Sequence, residues 1–359
     1  MTREFAREDI EPLALGAWIL GTGGGGNPYI NQLNLQRLYD EGKRVRIIQP
    51  EDLEDDQHVG VVSMMGAPLV LLERLTDPAD LARAVRLMEE YRNIKFSALM
   101  AIEIGGGNAL SPFLAAAMLD LPVIDADAMG RAYPEATHSS FAIGDLQMYP
   151  MSQVDCRGVE NIVAKTPSWH WLERSSRAMC AEMGSITATC KAPRTGAEVK
   201  KWAVLHTVTK SVDMGRAVIE AKRRHEDPVA AVLEQQGGKL LFSGKVVDVD
   251  RTTGGGFLRG NCRVAGLDGD RGGELDMVFQ NEWIAVFDGD KPVAATPDLI
   301  CLVDTDSGES VGTETVRYGQ RVSIIALPAP AHLRTEKGLQ HVGPRAFGYD
   351  FDFKSVFAE

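Results

Sequence analysis

The stretch FSALMAIEIGGGNALSPFLAAAMLDLPVIDADAMGR, running from Phe96 to Arg131, decides the fold class. Phe96–Ile102 is a short apolar, β-prone run, Gly105-Gly106-Gly107-Asn108 is a turn, Ser111–Leu119 is helical and Pro122–Asp125 is a second strand. A chain that returns to its sheet through a helix makes a parallel pair. The same alternation continues toward the N-terminus: Asp9–Leu20 and Tyr29–Tyr39 read as helices, Val45–Ile48 and Val59–Met65 as strands, and Asp77–Tyr91 as a helix. The expectation is an α/β fold whose N-terminal half is a mainly parallel sheet with helices on its faces.

In the other direction the periodicity lapses over Pro150–Ser176, which divides the chain into an α/β domain, 1–168, and a second domain, 169–359. The second domain starts with helices, Ala197–Gly215 and Ala217–Gln236. It continues in short strands, Val246–Val249, Cys262–Val264, Met277–Phe279, Trp283–Phe287, Leu299–Val303 and Arg321–Ala326, set apart by Gly/Asp turns. That rhythm predicts a mostly antiparallel β C-terminal domain.

The totals exclude several functions. With 38 basic and 50 acidic residues the formal charge is −12, which argues against a duplex-binding surface. No uncharged apolar run is long enough to span a bilayer, and the N-terminal residues lack the charged-then-apolar order of a signal peptide. The five cysteines are scattered and include no CxxC pair, so neither a disulfide framework nor a thiolate zinc site is indicated. A cytoplasmic protein with a small-molecule substrate, no nucleic acid and no membrane is expected, and self-association into a homo-oligomer is compatible with it.

Three glycine-dense turns stand out: Gly21-Thr22-Gly23-Gly24-Gly25-Gly26, Gly105-Gly106-Gly107-Asn108 and Gly254-Gly255-Gly256. Such clusters mark places where backbone turns sharply or approaches something closely. The first precedes a helix, so its N–H groups can receive an anion or a carbonyl, or simply connect two helices. It lacks the Gly-Lys-Ser/Thr of a P-loop and follows a helix rather than a strand, which argues against nucleotide binding.

Beside these turns lie the acids. Glu103 follows the strand Phe96–Ile102, and Asp125 and Asp127 follow the strand at Pro122–Ile124, with Asn108 close in sequence to Glu103. Strand C-termini share one edge of a parallel sheet, where ligands of open α/β folds bind. Crowded carboxylates there raise one pKa and so supply an acid and a base. Downstream, Arg131, Glu135 and His138 add a carboxylate anchor and polar contacts. Each has a plainer alternative. Asp127 can cap a helix, Arg131 and Glu135 can pair at i,i+4, and His138 can face solvent. No cofactor is expected. A hard divalent cation on Asp125, Asp127 and Glu103 is the alternative.

Taken together, the motifs resemble a known family. They run from Leu20 to Tyr29 through the glycine turn, then Met65-Gly66-Ala67-Pro68 with Glu73, Glu103-Ile104-Gly105-Gly106-Gly107-Asn108 and Pro122 to Glu135. Late in the chain come Asn281-Glu282, Pro297-Asp298-Leu299, Arg317-Tyr318-Gly319 and Gly343 to Tyr349. This series resembles DUF917, the S-methyl thiohydantoin desulfurase-like proteins with N- and C-terminal domains, over nearly the whole chain. Asn27 departs from it, standing where an acidic residue is expected.

The resemblance implies a hydrolase that converts an S-methyl thiohydantoin to a hydantoin and releases methanethiol, in ergothioneine-related breakdown. It also implies association with a hydantoinase- or oxoprolinase-type protein, so a non-catalytic accessory subunit is the alternative function. On the catalytic reading, water activated by Asp125 or Asp127 attacks the amidine-like ring carbon while Glu103 protonates a ring nitrogen. Thr22, Gly23, Gly24, Gly25, Gly26, Gly106, Gly107 and Asn108 would cradle the ring, with Arg131, Glu135 and His138 around it.

Overall fold

The computed structural model describes residues 2–66, 70, 73–254 and 257–357. The Ala67 and Pro68 of the second motif, and Gly255 and Gly256 of the third glycine turn, lie outside the described residues. The chain begins with strand β1 (Arg3–Glu4) and helices α1 (Ile10–Leu20) and α2 (Tyr29–Asp40). Strands β2 (Arg46–Ile48) and β3 (His58–Gly66), helix α3 (Pro78–Arg92), strand β4 (Ala98–Ala101), helix α4 (Ser111–Leu119) and strand β5 (Val123–Ile124) follow. The pairs β2–β5, β5–β4 and β4–β3 are parallel, as the strand–helix–strand reading predicts. Their burial has the two-residue period of a strand. Leu99 joins the core under the helices, whereas Ala98 and Met100 join a second core on the opposite face.

The next segment was not legible as regular structure. It holds β6 (Ala126–Asp127), helix α5 (Ser140–Ile143), β7 (Met151–Val154), β8 (Glu160–Val163), helix α6 (Trp169–Glu182) and the ten-residue β9 (Ile186–Thr195). β9 lies antiparallel between β3 and β7, so the sheet order is β1-β2-β5-β4-β3-β9-β7-β8. It alternates Ala188 and Cys190, which enter the core, with Thr187, Thr189 and Lys191, which are buried and polar. A strand with polar side chains on a buried face lacks the hydrophobic signature by which strands are found in sequence.

The long helices of the second half are also more broken than the sequence suggests. Gly196–Trp202 forms α7, Val204–Leu205 forms strand β10, and α8 begins at Thr207 and runs to Arg224. β10 pairs with β6, and His206 takes a left-handed φ of 62° while its N–H donates to the Asp125 carbonyl at 2.7 Å. Tertiary pairing thus overrides a continuous helical pattern. Pro228 opens a separate helix, α9 (Pro228–Gln236), whose first turn is capped by Asp227.

The remaining strands are β11 (Lys239–Gly254), β12 (Phe257–Gly266), β13 (Glu274–Gln280), β14 (Glu282–Asp288), β15 (Lys291–Ala295), β16 (Leu299–Asp304) and β17 (Arg321–Leu327). They form one antiparallel sheet in the order β15-β14-β13-β12-β11-β17-β16. Leu299, Cys301, Ile325 and Leu327 on one face of β16 and β17 belong to the same core as α1 and α8, so the two sheets share a single interior. Helices α1 and α8 cross at backbone contact. A Cβ at Gly16 would overlap the Ser211 carbonyl, and Ser211 Oγ donates to the Leu13 carbonyl at 3.0 Å. Among the described residues no helix is long and apolar enough to cross a membrane, and all five cysteines are free.

Candidate functional site

A cleft of about 290 Å³ opens where β3 and β4 end, between the glycine turns and the start of β14. That size is near the lower end of small-molecule sites and suits one ring with short substituents. Gly25, Gly26, Gly107 and Asn108 form one wall, Ser63, Met64 and Lys191 the floor, and Glu282 from the start of the antiparallel strand 282–288 and Glu314 from the loop between 304 and 321 complete the lining.

The two glycine turns interlock to make the first wall. The Gly107 N–H donates to the Gly25 and Gly26 carbonyls at 3.0 and 2.9 Å, and Asn31 Nδ2 donates to the Gly107 carbonyl at 2.9 Å. The same turn grips the second sheet. The Thr22 and Gly23 carbonyls accept from the Trp283 and Thr313 amides, both at 2.8 Å. Gly24 sits so near β14 that a Cβ would collide with the Glu282 carboxylate. Gly24→Ala is therefore expected to displace Glu282 and to destabilise the fold by about 1–3 kcal/mol, the usual range for overpacking. Thermal denaturation checks this, and an unchanged melting temperature would mean that Glu282 has other room.

Glu103 is the acid that reaches the cleft. Asn108 Nδ2 donates to its Oε1 at 2.6 Å and the Tyr133 N–H to its Oε2 at 3.2 Å. Asn108 is itself fixed, because its Oδ1 accepts from the Met64 amide at 2.8 Å. Burial pushes the Glu103 carboxyl up to about 7, against the hydrogen bonds of Asn108 and Tyr133 and the nearby Lys191 charge. Glu282, 2% exposed, is raised well above the usual range by burial and then by the charge of Glu103, and its Oε2 has no partner among the described residues. Glu135 and Glu314 are also raised, chiefly by burial. Glu103 and Glu282 thus keep their protons to a higher pH than ordinary carboxyls do.

Other residues that the sequence groups with Glu103 are placed behind the wall. Asp125 is fully buried and caps α8. Its Oδ1 accepts from the Thr209 amide at 3.0 Å and its Oδ2 from Thr209 Oγ1 at 2.5 Å. Asp127 accepts three amides on Oδ2, from Ile104, Met129 and Gly130, at 2.9, 2.9 and 2.7 Å. Burial pushes it up to about 7 while those three bonds pull it down. Neither aspartate lines the cleft. The place at the ligand edge expected for both aspartates from their position at a strand end is corrected, because Asp125 turns to Thr209 and Asp127 to the amides of Ile104, Met129 and Gly130. Among the described residues no three His, Cys, Asp or Glu side chains converge as a metal-holding group.

Arg131 is neither at the cleft nor paired with Glu135. It is fully buried, donating to Thr22 Oγ1 at 2.6 Å and to the Trp283, Ala132 and Asp298 carbonyls at 3.0, 3.0 and 3.2 Å, with its guanidinium over the Tyr133 ring. It fastens the first glycine turn to the second sheet. His138 is buried too, stacked on Phe347 at 5.0 Å between centroids, and its Nδ1 accepts from the Glu135 amide at 3.3 Å. Burial pushes it down to about 3, so it is a neutral packing residue near neutral pH. Glu135 remains on the cleft wall, whereas Thr22, Gly23, Gly24 and Gly106 support the wall without lining it. Asn27 Oδ1 accepts from the amide of Tyr29, the first residue of α2, at 2.9 Å.

Ser63, Lys191, Glu173, Arg177 and Glu314 line the cleft without having been singled out by any sequence motif, and Glu282, named only as part of the Asn281-Glu282 motif, joins them. Arg177 is ion-paired with Glu173 one helical turn away on α6 and also donates to the Pro134 carbonyl at 3.0 Å. The Thr-Ala-Thr-Cys-Lys alternation at residues 187–191 was the one available signal for Lys191.

Two family models cover this architecture. The one described as "S-Me-THD-like, N-terminal domain" matches residues 8–165, and the one described as "S-Me-THD-like, C-terminal domain" matches residues 167–356. A solved structure, the X-ray crystal structure of a protein from Chromobacterium violaceum, is similar with a TM-score of 0.81 at 23% identity, covering 99% of this chain and 100% of that one. At that identity the likeness speaks for the fold alone. Comparison with curated proteins gives no significant match.

Proposed function

The chain belongs to the S-Me-THD-like family, and on that footing we propose that it is a hydrolase acting on a small hydantoin-like heterocycle, converting an S-methyl thiohydantoin to the hydantoin with release of methanethiol. The observation that carries the reading is Glu103, a buried carboxyl on the cleft wall, raised to about 7 and held in place by Asn108. A group with that pKa can donate a proton near neutrality and take it back. The ring carbon bearing sulfur in an S-methyl thiohydantoin lies between two nitrogens and is a weak electrophile until a nitrogen is protonated. Glu103 supplies that proton.

Gly25 and Gly26 line the same space, and among the described residues their N–H groups have no protein acceptor. They are suited to hold a ring carbonyl and the charge that develops on it. The base role assigned from sequence to Asp125 or Asp127 has no support from their placement. The test is a screen of the purified protein against hydantoins, thiohydantoins and their S-methyl derivatives, read by thiol release with and without chelator. Release from the S-methyl compounds supports the reading, and loss of release on chelation would add a metal to it. Silence throughout, with copurification of a hydantoinase-type protein, would instead favour an accessory subunit.

A further inference from the structure

The floor of the cleft holds a group that the acid chemistry of Glu103 leaves unused. Ser63 on β3 and Thr189 on β9 are directly opposite in the antiparallel register, and their hydroxyls are 2.9 Å apart. Thr189 Oγ1 also donates to the Ser63 carbonyl at 2.9 Å, so its single proton is engaged and the Ser63 hydroxyl proton is free to point to Thr189 Oγ1 or to a neutral Lys191 Nζ. Lys191, two residues along on the same face of β9, brings Nζ to 3.1 Å from Ser63 Oγ and 3.4 Å from Thr189 Oγ1. Ser63, Thr189 and Lys191 are at most 5% exposed, yet Ser63 and Lys191 line the cleft. No carboxylate is paired with the ammonium among the described residues; Glu173 and Glu103 act on it only through space, and Arg177 opposes them.

We propose that Ser63 is the nucleophile of this site and Lys191 its general base, with Thr189 positioning the serine hydroxyl. The substrate side of this inference rests on the hydrolase reading. Burial lowers the Lys191 pKa, which favours the neutral amine that a base must be. In the first step Ser63 Oγ bonds to the ring carbon, its proton passes to Lys191 Nζ, and the carbon–sulfur bond breaks. The ammonium returns that proton to the departing thiolate, releasing methanethiol and leaving an O-seryl isourea. In the second step water adds to the same carbon, giving a proton to Lys191. The bond to Ser63 then breaks, Lys191 reprotonates the serine oxygen, and the proton of the added hydroxyl passes by way of Glu103 to the ring nitrogen, leaving the hydantoin carbonyl. No oxidant or co-reactant is needed.

Labelling with diisopropyl fluorophosphate, a small electrophile that requires no knowledge of the substrate, tests the nucleophile separately from the function. The whole protein is expected to gain one diisopropylphosphoryl group, mapped by peptide mass to Ser63, with loss of fluoride. Ser63→Ala is expected to take no label, and Lys191→Met to label at least about 10²-fold more slowly, the lower range for a general base. Should Lys191→Met fail to fold, the wild type decides, because its labelling rate must rise with pH through one ionisation below the ordinary lysine value of 10.5. Absence of label at Ser63, or a flat pH profile, overturns the proposal. Label at Ser63 without thiol release from any S-methyl thiohydantoin sustains the nucleophile and removes the substrate reading. Thiol release that survives Ser63→Ala does the reverse.

Discussion

Replacing Glu103 with Gln is expected to lower kcat/KM for thiol release by about 10²–10⁴-fold, the usual contribution of a positioned acid. The substitution keeps the volume and the hydrogen bond from Asn108 but removes the transferable proton. The pH profile separates this from a packing defect. Glu103 must be protonated to activate the ring, so wild-type activity should fall as pH rises through about 7, and Glu103→Gln should lose that limb. Retention of the limb in the variant would assign it to another group.

Stability gives an independent reading of the same carboxyl. Its folded pKa is raised from 4.5 to about 7, so the folded state binds the extra proton between those values and stability falls as pH rises through them. A shift of that size corresponds to about 3 kcal/mol as an upper bound. The stability difference between Glu103→Gln and wild type should therefore move toward the variant between pH 4.5 and 7. Urea unfolding at several pH values measures it, and a difference that does not change with pH would contradict the raised pKa.

Arg131→Leu is expected to destabilise the protein by about 3–5 kcal/mol, read from the urea midpoint. The side chain is fully buried and bonds Thr22 Oγ1 and the Ala132, Trp283 and Asp298 carbonyls, so its removal leaves several buried acceptors without donors. The loss should appear in the stability of the whole fold, because the guanidinium joins the glycine turn to the second sheet. An anchor for a substrate carboxylate predicts something different: a raised KM with stability unchanged. That outcome would return Arg131 to the cleft.

Much of the N-terminal sheet was legible because its apolar residues carry the periods of the elements they form. The strand–turn–helix–strand order from Phe96 to Ile124 translates directly into parallel β4 and β5 flanking α4. The failures share a cause. β9 escapes a sequence reading because one buried face of it carries Thr187, Thr189 and Lys191, and α7 and α8 merge because a break made by β-pairing to β6 leaves no mark on helical periodicity. At the site, Glu103 and Asn108 were within reach because they are five residues apart on one turn. Asp125 and Asp127 misled because a carboxylate that accepts backbone amides has the same local sequence as one that faces a substrate.

The sequence by itself therefore determined the α/β class, the antiparallel second half, the family and the glycine-and-glutamate wall. All of these depend on residues near one another in the chain. The tertiary structure alone decided what faces that wall. Ser63, Lys191 and Glu282 come from strands far apart in sequence and meet only through the β3–β9 register and the docking of β14 on the glycine turn. Side-chain direction follows from pairing and burial, which spacing along the chain does not encode when the partners are distant.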